Sequence, residues 1–322
     1  MMIKKHLSTI VLGTLLLIGS ILSLLVGVVE LDVRTLLSGM ALKILLVGRI
    51  PRLLAILCTG VGMSVAGLIM QQLCMNKFVS PSTGATIQSA QFGILLSLVF
   101  LPSLGLWGRV LLAFAVSILG TWIFVWFVQC LRFKNTVMVP LVGIMFGNIL
   151  GGVTGFLAYK FEVTQQLSNY FVGSFALILR GNYELVWLAV PLVAAAFMFA
   201  NYFNIVGMGR DFSQNLGVNY KLVLFLGLSI AAMITASVVT VVGQISFPGL
   251  MIANLARQLL KTHKHSCLIP GSALIGMIAV IAGQIVSRSV FHYAVPISTF
   301  ITIGGGIYFL YLLPFRKGAM TA

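Results

Sequence analysis

The chain has 322 residues, of which 60% are hydrophobic and only 8% charged. Soluble domains carry roughly 25% charged residues, so a water-exposed surface is excluded for a chain of this size and an apolar, lipid-facing exterior is implied. The net charge of +15 comes from 20 Lys and Arg against five acids, but the bases stand between long apolar runs and not on one basic stripe, which argues for membrane-topology signals and against nucleic acid.

Lys4 and Lys5 precede an apolar run at 7–29. About 23 residues is long for a signal-peptide core and enough to cross a bilayer. No small-x-small cleavage site follows it, so the segment is expected to be a retained first helix that starts in the cytoplasm. Cutting the rest of the chain at its charges leaves further runs at 53–75, 84–108, 110–131, 135–159, 185–206, 222–247, 266–287 and 294–315. Each is long enough for a transmembrane helix. A shorter run at 245–260, which holds Pro248 and Arg257, is expected to be a tenth, short helix, and 163–179 is a candidate re-entrant or interfacial piece. Backbone groups cannot stay unpaired in hydrocarbon, and the alternation of membrane β-strands is absent. The expectation is therefore an all-α polytopic membrane protein of ten transmembrane helices. Residues 1–322 form one domain, and the longest internal polar interruption, 207–221, lies in the cytoplasm.

With ten spans and both termini inside, twelve Lys and Arg fall in cytoplasmic segments and eight outside. The bias has the sign the positive-inside rule requires. It is weakened by the first outer loop, which carries Arg34, Lys43, Arg49 and Arg52. That exception calls for a reason.

The chain holds no GxxxxGK[ST] loop, so ATP hydrolysis is not expected of it. His6, His263, His265 and His292 form no ligand set; His263 and His265 flank Lys264 in a basic loop that would repel a metal ion, and neither metal nor cofactor is expected. Cys58, Cys74, Cys130 and Cys267 make no CxxC pair and read as small core residues. The spans hold no nucleophile–base pair and almost no charge, which weighs against an enzyme and against the alternative of an ion-coupled secondary transporter. Gly143, Gly147, Gly151 and Gly155 make a stripe that reads as helix packing, with the lining of a substrate path as the other reading.

Five ordered blocks carry a family resemblance. They are Arg49-Ile50-Pro51-Arg52-Leu53-Leu54-Ala55 running on through GVGMSVAGLIMQ and NKFVSPSTGA; GRDFSQNLG at 209–217; FPGLMIANLAR at 247–257; LIPGSALIGMIAVIAGQIVSR at 268–288; and VPISTFITIGGGIYFLYLL at 295–313. Together they resemble the FecCD family of permeases, the membrane subunits of ATP-driven importers for ferric siderophores, haem and vitamin B12. The NKFVSPSTGA variant looks most like permeases of the petrobactin and anguibactin type. The resemblance implies the type II ABC importer permease fold in the bacterial cytoplasmic (inner) membrane. It also implies a second permease, either a copy or a paralogue, an ABC ATPase subunit beneath, and a substrate-binding protein outside. The cargo would be a ferric siderophore of catecholate or mixed type, with haem or B12 as the alternative.

By the same resemblance Arg49, Arg52 and Arg288 would meet acidic residues of the binding protein, which supplies a reason for bases on the outer side. Arg210, Asp211, Phe212, Asn215, Leu216 and Gly217 would couple to the ATPase, with Phe212 and Leu216 sharing one helix face. The sequence departs from the family pattern at NKFVSP for the usual RNPLADP, at Ala253-Asn254 for Pro-His, and at Gln284 for an acid. Translocation-path candidates, chosen for polarity or small size in the early spans, are Met63, Gln71, Gln88, Gln91, Asn148 and Gly151.

Overall fold

A computed structural model describes residues 2–25, 39–77, 79–81, 85–130, 138–176, 178–181, 183–245, 247–262, 264–290 and 295–315. Lys77 apart, the expectations about Arg34, Phe78, Arg132, Lys134, His263, His292, Arg316 and Lys317 fall outside these residues or on their unplaced side chains, as do those about Lys4, Lys5 and His6.

The described residues are all-helical apart from turns and one isolated bridge. The helices are α1 (Met2–Leu25), α2 (Gly39–Ile44), α3 (Ile50–Leu73), α4 (Thr86–Phe100), α5 (Leu106–Cys130), α6 (Met138–Lys160) and α7 (Thr164–Phe171). They continue with α8 (Ala189–Met198), α9 (Ala200–Val206), α10 (Arg210–Asn215), α11 (Tyr220–Val242), α12 (Pro248–Leu260), α13 (His265–Val290) and α14 (Ile297–Phe315). Five helical stretches among them are long and apolar enough to cross a membrane: Leu42–Leu73, Leu106–Val128, Leu141–Lys160, Tyr220–Val242 and His265–Ser289. A bent pair, Glu184–Met198 with Ala200–Val206, brings the number to six if it counts as one span.

The centre of the fold is α3 packed on α11. Both helices are apolar on every side, the pattern of a helix surrounded by protein, and most of their residues are buried. Helices α1, α8, α12 and α13 pack around α3, and α5 and α8 cover α11. Small residues set the close crossings. A β-carbon on Gly60 would stand 2.7 Å from the carbonyl oxygen of Gly276 on α13, and one on Gly67 only 2.0 Å from that of Gly249 on α12. Membrane helices gain little from hydrophobic exclusion against lipid, so such backbone approach supplies much of their packing energy.

Three expectations change. The helix leading into α3 begins well before residue 53, so Lys43 and Arg49 belong to a helical stretch and not to an outer loop. The 185–206 run bends by 60° between α8 and α9. The bend carries Phe203 into the core, where Gly227 leaves room; a β-carbon there would meet its ring at 2.8 Å. His265 is not in an exposed basic loop. It is fully buried at the start of α13, its Nδ1 lying 2.6 Å from Asn204 Oδ1. Cys58 and Cys74 are buried as expected, whereas Cys130 is exposed.

Gly67→Val should destabilise the fold strongly, since the added carbons collide with backbone that cannot move aside; overpacking of this kind costs about 1–3 kcal/mol or more. Gly155→Ala, which meets open space, should leave stability unchanged. Thermal unfolding in detergent, followed by the monodisperse fraction on size exclusion, separates the two.

Candidate functional site

Pro51 shapes the N-terminal end of α3. It has no N–H, and its ring blocks the carbonyl four residues earlier, so the helical ladder fails at Val47. The chain answers with a π turn over Leu45–Arg49, closed by the Ile50 N–H on the Leu45 carbonyl. The Val47 carbonyl accepts from the Arg180 N–H at 3.0 Å instead. This turn places Arg49 and Arg52 within the protein. Arg49 is only 6% exposed. Its Nη1 donates to the carbonyls of Leu24 and Leu25, at 2.9 Å for the latter, where a cation complements the negative end of a helix dipole.

Arg52 makes the more consequential contact. Its Nε donates to the Phe175 carbonyl at 2.9 Å and its Nη2 to the Ala176 carbonyl at 3.2 Å. The segment so held, 172–176, leaves helical geometry, starting extended at Val172 and turning at Phe175–Ala176, and its backbone is paired on several sides. Val172 bridges Gln244, the Gln244 N–H donates to the Phe171 carbonyl, and the Ser174 N–H donates to the Val242 carbonyl at 3.0 Å. The Ser298 N–H at the head of α14 donates to the Gly173 carbonyl at 3.2 Å. Phe175, 1% exposed, anchors the segment in the core. Non-helical backbone among membrane helices is tolerated under this condition of enclosure. Arg288 completes the basic cluster: Arg52 feels the charges of both Arg49 and Arg288. Residues 49, 52 and 288 are near enough to interact through their charges.

Beside this segment lies a groove of about 390 Å³, lined by Phe171, Gln244, Ser298, Thr299, Thr302 and Ile303. Gln244 occupies the turn after α11, which Gly243 makes possible at φ +91°; a β-carbon there would stand 2.6 Å from the Val172 carbonyl. Gln91 of α4 donates through Nε2 to Gln244 Oε1 at 3.3 Å. A second cavity, of about 620 Å³, opens on the other side of the held segment between Trp107, Tyr170, Leu185 and Val241.

The remaining path candidates divide. Met63 and Gln71 are 2% exposed, inside the core; Gln71 links α3 to α12 by donating to the Leu250 carbonyl and accepting from Arg257 Nη1 at 2.6 Å. Gln88 packs against Gly147. Asn148 is exposed on α6, and a β-carbon at Gly151 or Gly155 would meet nothing within 4 Å. The glycine stripe is therefore packed at Gly147 and open further along. Asn254, one of the departures from the family pattern, ties α12 to the α3–α4 connection through the Lys77 carbonyl at 3.1 Å.

On the opposite side α10 stands between Gly209 (φ +110°) and Gly217 (φ +73°). Ser213 is buried and donates to the Ile205 carbonyl at 3.1 Å, clamping α10 on α9. That leaves Phe212 44% and Leu216 55% exposed. Leu216 is the residue that caps α10, just beyond its last turn. Arg210, Asp211 and Asn215 are exposed around them.

Sequence reasoning missed Gln244, Ser298, Thr299 and Thr302. The signal available was a polar residue closing the 222–247 run and three hydroxyls in ISTFIT, inside an otherwise apolar helix.

Residues 15–314 match the FecCD transport family. The chain belongs to that family. It is 38% identical over 306 residues to a petrobactin import system permease of Bacillus subtilis, covering 94% of this chain and 96% of the relative. It is 34% identical over 276 residues to a ferric-anguibactin transport system permease of Vibrio anguillarum, covering 85% and 87%. Among solved structures, the fold matches a metal-chelate type ABC transporter in an inward-facing conformation, with a TM-score of 0.80 at 24% identity over 94% of this chain and 96% of the other. This FecCD chain is a transport subunit and not an enzyme.

Arg52→Ala should free the held segment. With the four native cysteines replaced, labelling of Ser174→Cys by an impermeant maleimide should speed up at least about tenfold, since each hydrogen bond from a charged donor contributes roughly 1.5–3 kcal/mol. Arg52→Lys should restore slow labelling only in part, because a point charge cannot span both carbonyls. Labelling that is unchanged in Arg52→Ala would remove the pinning role.

Proposed function

We propose that this chain is the membrane-spanning permease subunit of an ABC importer that carries a ferric siderophore of catecholate or mixed type across the bacterial cytoplasmic membrane. The observation that carries this reading is the near full-length similarity to permeases named for petrobactin and ferric anguibactin. Ten spans follow if the six long ones are joined by the shorter apolar helices Ile10–Leu25, Thr86–Phe100 and Ile297–Tyr308 and by α12. Both termini then lie in the cytoplasm, and residues 1–322 act as one permease domain.

In this arrangement Arg49, Arg52 and Arg288 face the binding protein's side, where charge steers and orients docking. The exposed Phe212 and Leu216 offer an apolar knob to a separate ATPase subunit, with Arg210, Asp211 and Asn215 at its rim and Gly217 ending it. A second permease, copy or paralogue, covers the open part of α6 at Gly151 and Gly155. ATP-driven closure of the ATPase pair moves α10, and with it α9 and the bent span.

Cells carrying the permease with its ATPase and binding protein should take up radio-iron as ferric petrobactin, and changing the Walker lysine of the ATPase should abolish uptake. Uptake that survives would point to an ion-coupled carrier. Uptake of haem or B12 in place of siderophore would move the cargo within the family. Phe212→Asp should weaken ATPase co-purification at least about tenfold, since losing an aromatic anchor at an interface costs roughly 2 kcal/mol or more, while the variant still reaches the membrane.

A further inference from the structure

We propose that the Gln91–Gln244 amide pair and the hydroxyls of Ser298, Thr299 and Thr302 form a contact site for the oxygen-rich face of the ferric chelate in transit. The proposal rests on the siderophore-transport reading and assigns residues to it.

The hydroxyls are the first argument. Many Ser and Thr elsewhere in these helices turn back on their own backbone: Thr121 donates to the Ser117 carbonyl at 2.9 Å, Thr154 to Leu150 at 2.6 Å, Thr235 to Ala231 and Thr240 to Ala236, both at 2.7 Å, while Thr59, buried in α3, finds no partner among the described residues. This is the usual way to satisfy a hydroxyl in a membrane helix. Ser298, Thr299 and Thr302 make no hydrogen bond from their hydroxyls among the described residues, although Thr302 has the Ser298 carbonyl one turn back. Three hydroxyls and an amide that open on one groove are a poor surface for lipid, where unpaired polar groups are costly. They suit a groove that is wet or occupied.

The chemistry is the second. The groove presents donors and acceptors but no ionisable side chain. With Gln244 Oε1 already accepting from Gln91, the amide N–H groups of Gln244 remain for a ligand. Catecholate and carboxylate oxygens accept such bonds. Neutral donors hold an anionic complex without a fixed counter-charge, and a transport path needs binding weak enough for release. Phe171 and Ile303 supply apolar walls for the organic backbone of a chelate.

Positioning is the third. The backbones of Gln244 and Ser298 are clipped to the segment that Arg52 holds, so the groups are set before a ligand arrives.

The test uses the whole importer and compares a ferric catecholate–carboxylate siderophore with a ferric hydroxamate. Gln244→Leu, Thr302→Val and Thr299→Val should each raise the apparent KM for the catecholate about three- to tenfold, the effect of one lost hydrogen bond, and raise it less for the hydroxamate. Thr302→Ser, which keeps the hydroxyl, should recover most of the affinity that Thr302→Val loses. Thr299 is exposed, so Thr299→Val reads the site without disturbing the core. If the wild type imports the siderophore and Thr299→Val and Thr302→Val keep its KM for both substrates, the contact site is wrong and the transport reading stands. If the wild-type importer takes up no ferric siderophore, the transport reading fails and the contact site with it.

Discussion

The fork of Arg52 over the carbonyls of Phe175 and Ala176 is the interaction on which this end of the permease depends. Inside a membrane a backbone that leaves helical geometry loses its partners and finds no water to replace them. Residues 172–176 leave it, and their polar groups are met by α3 through Arg52, by the end of α11 through Val242 and Gln244, and by the head of α14 through Ser298. Three helices far apart in sequence are thus tied to one short strand of chain. A cation among apolar helices is stable there because its donors meet carbonyl oxygens in a fixed geometry.

Pro51 serves the same end from the other side. It opens the helix ladder at Val47, and the freed carbonyl takes the Arg180 N–H. One proline therefore produces the π turn, aims Arg49 at the end of α1, and ties the loop at Arg180 to the turn before α3. π turns inside helices occur often at functional sites, and here the turn sets two of the three arginines that gather at one end of the molecule.

The permease reading gains its physical content from the contrast between its two ends and its groove. One end presents clustered arginines, the other an exposed Phe212 and Leu216 held out by a buried serine. Beside the segment that Arg52 holds, the groove offers amides and hydroxyls without charge. In the proposed importer, charge would attract a partner, an apolar knob would transmit movement, and neutral polar groups would let a cargo pass.

Much of this was legible in the sequence. The long apolar runs meant helices, because the bilayer admits little else, and α5, α6, α11, α12 and α13 begin and end close to where the runs do. The five ordered blocks carried the family, and spacing placed Asp211 to Gly217 on a polar interruption. Run lengths and charges are local quantities, and a chain carries them whatever it packs against. Other features were out of reach. Arg49 and Arg52 read as outer-loop bases, and only the packed structure joined them to carbonyls 24 and 123 residues away. His265 read as a loop residue because its partner Asn204 is 61 residues distant. Gln71 and Gln91 looked alike in the sequence, yet one closes a core contact with Arg257 and the other reaches Gln244 at a groove. The sequence by itself determined the solvent and the helices through its composition and the family through its ordered blocks; the tertiary structure alone decided which polar groups are spent on holding the fold and which stay open on a groove, because that depends on which distant backbone each side chain meets.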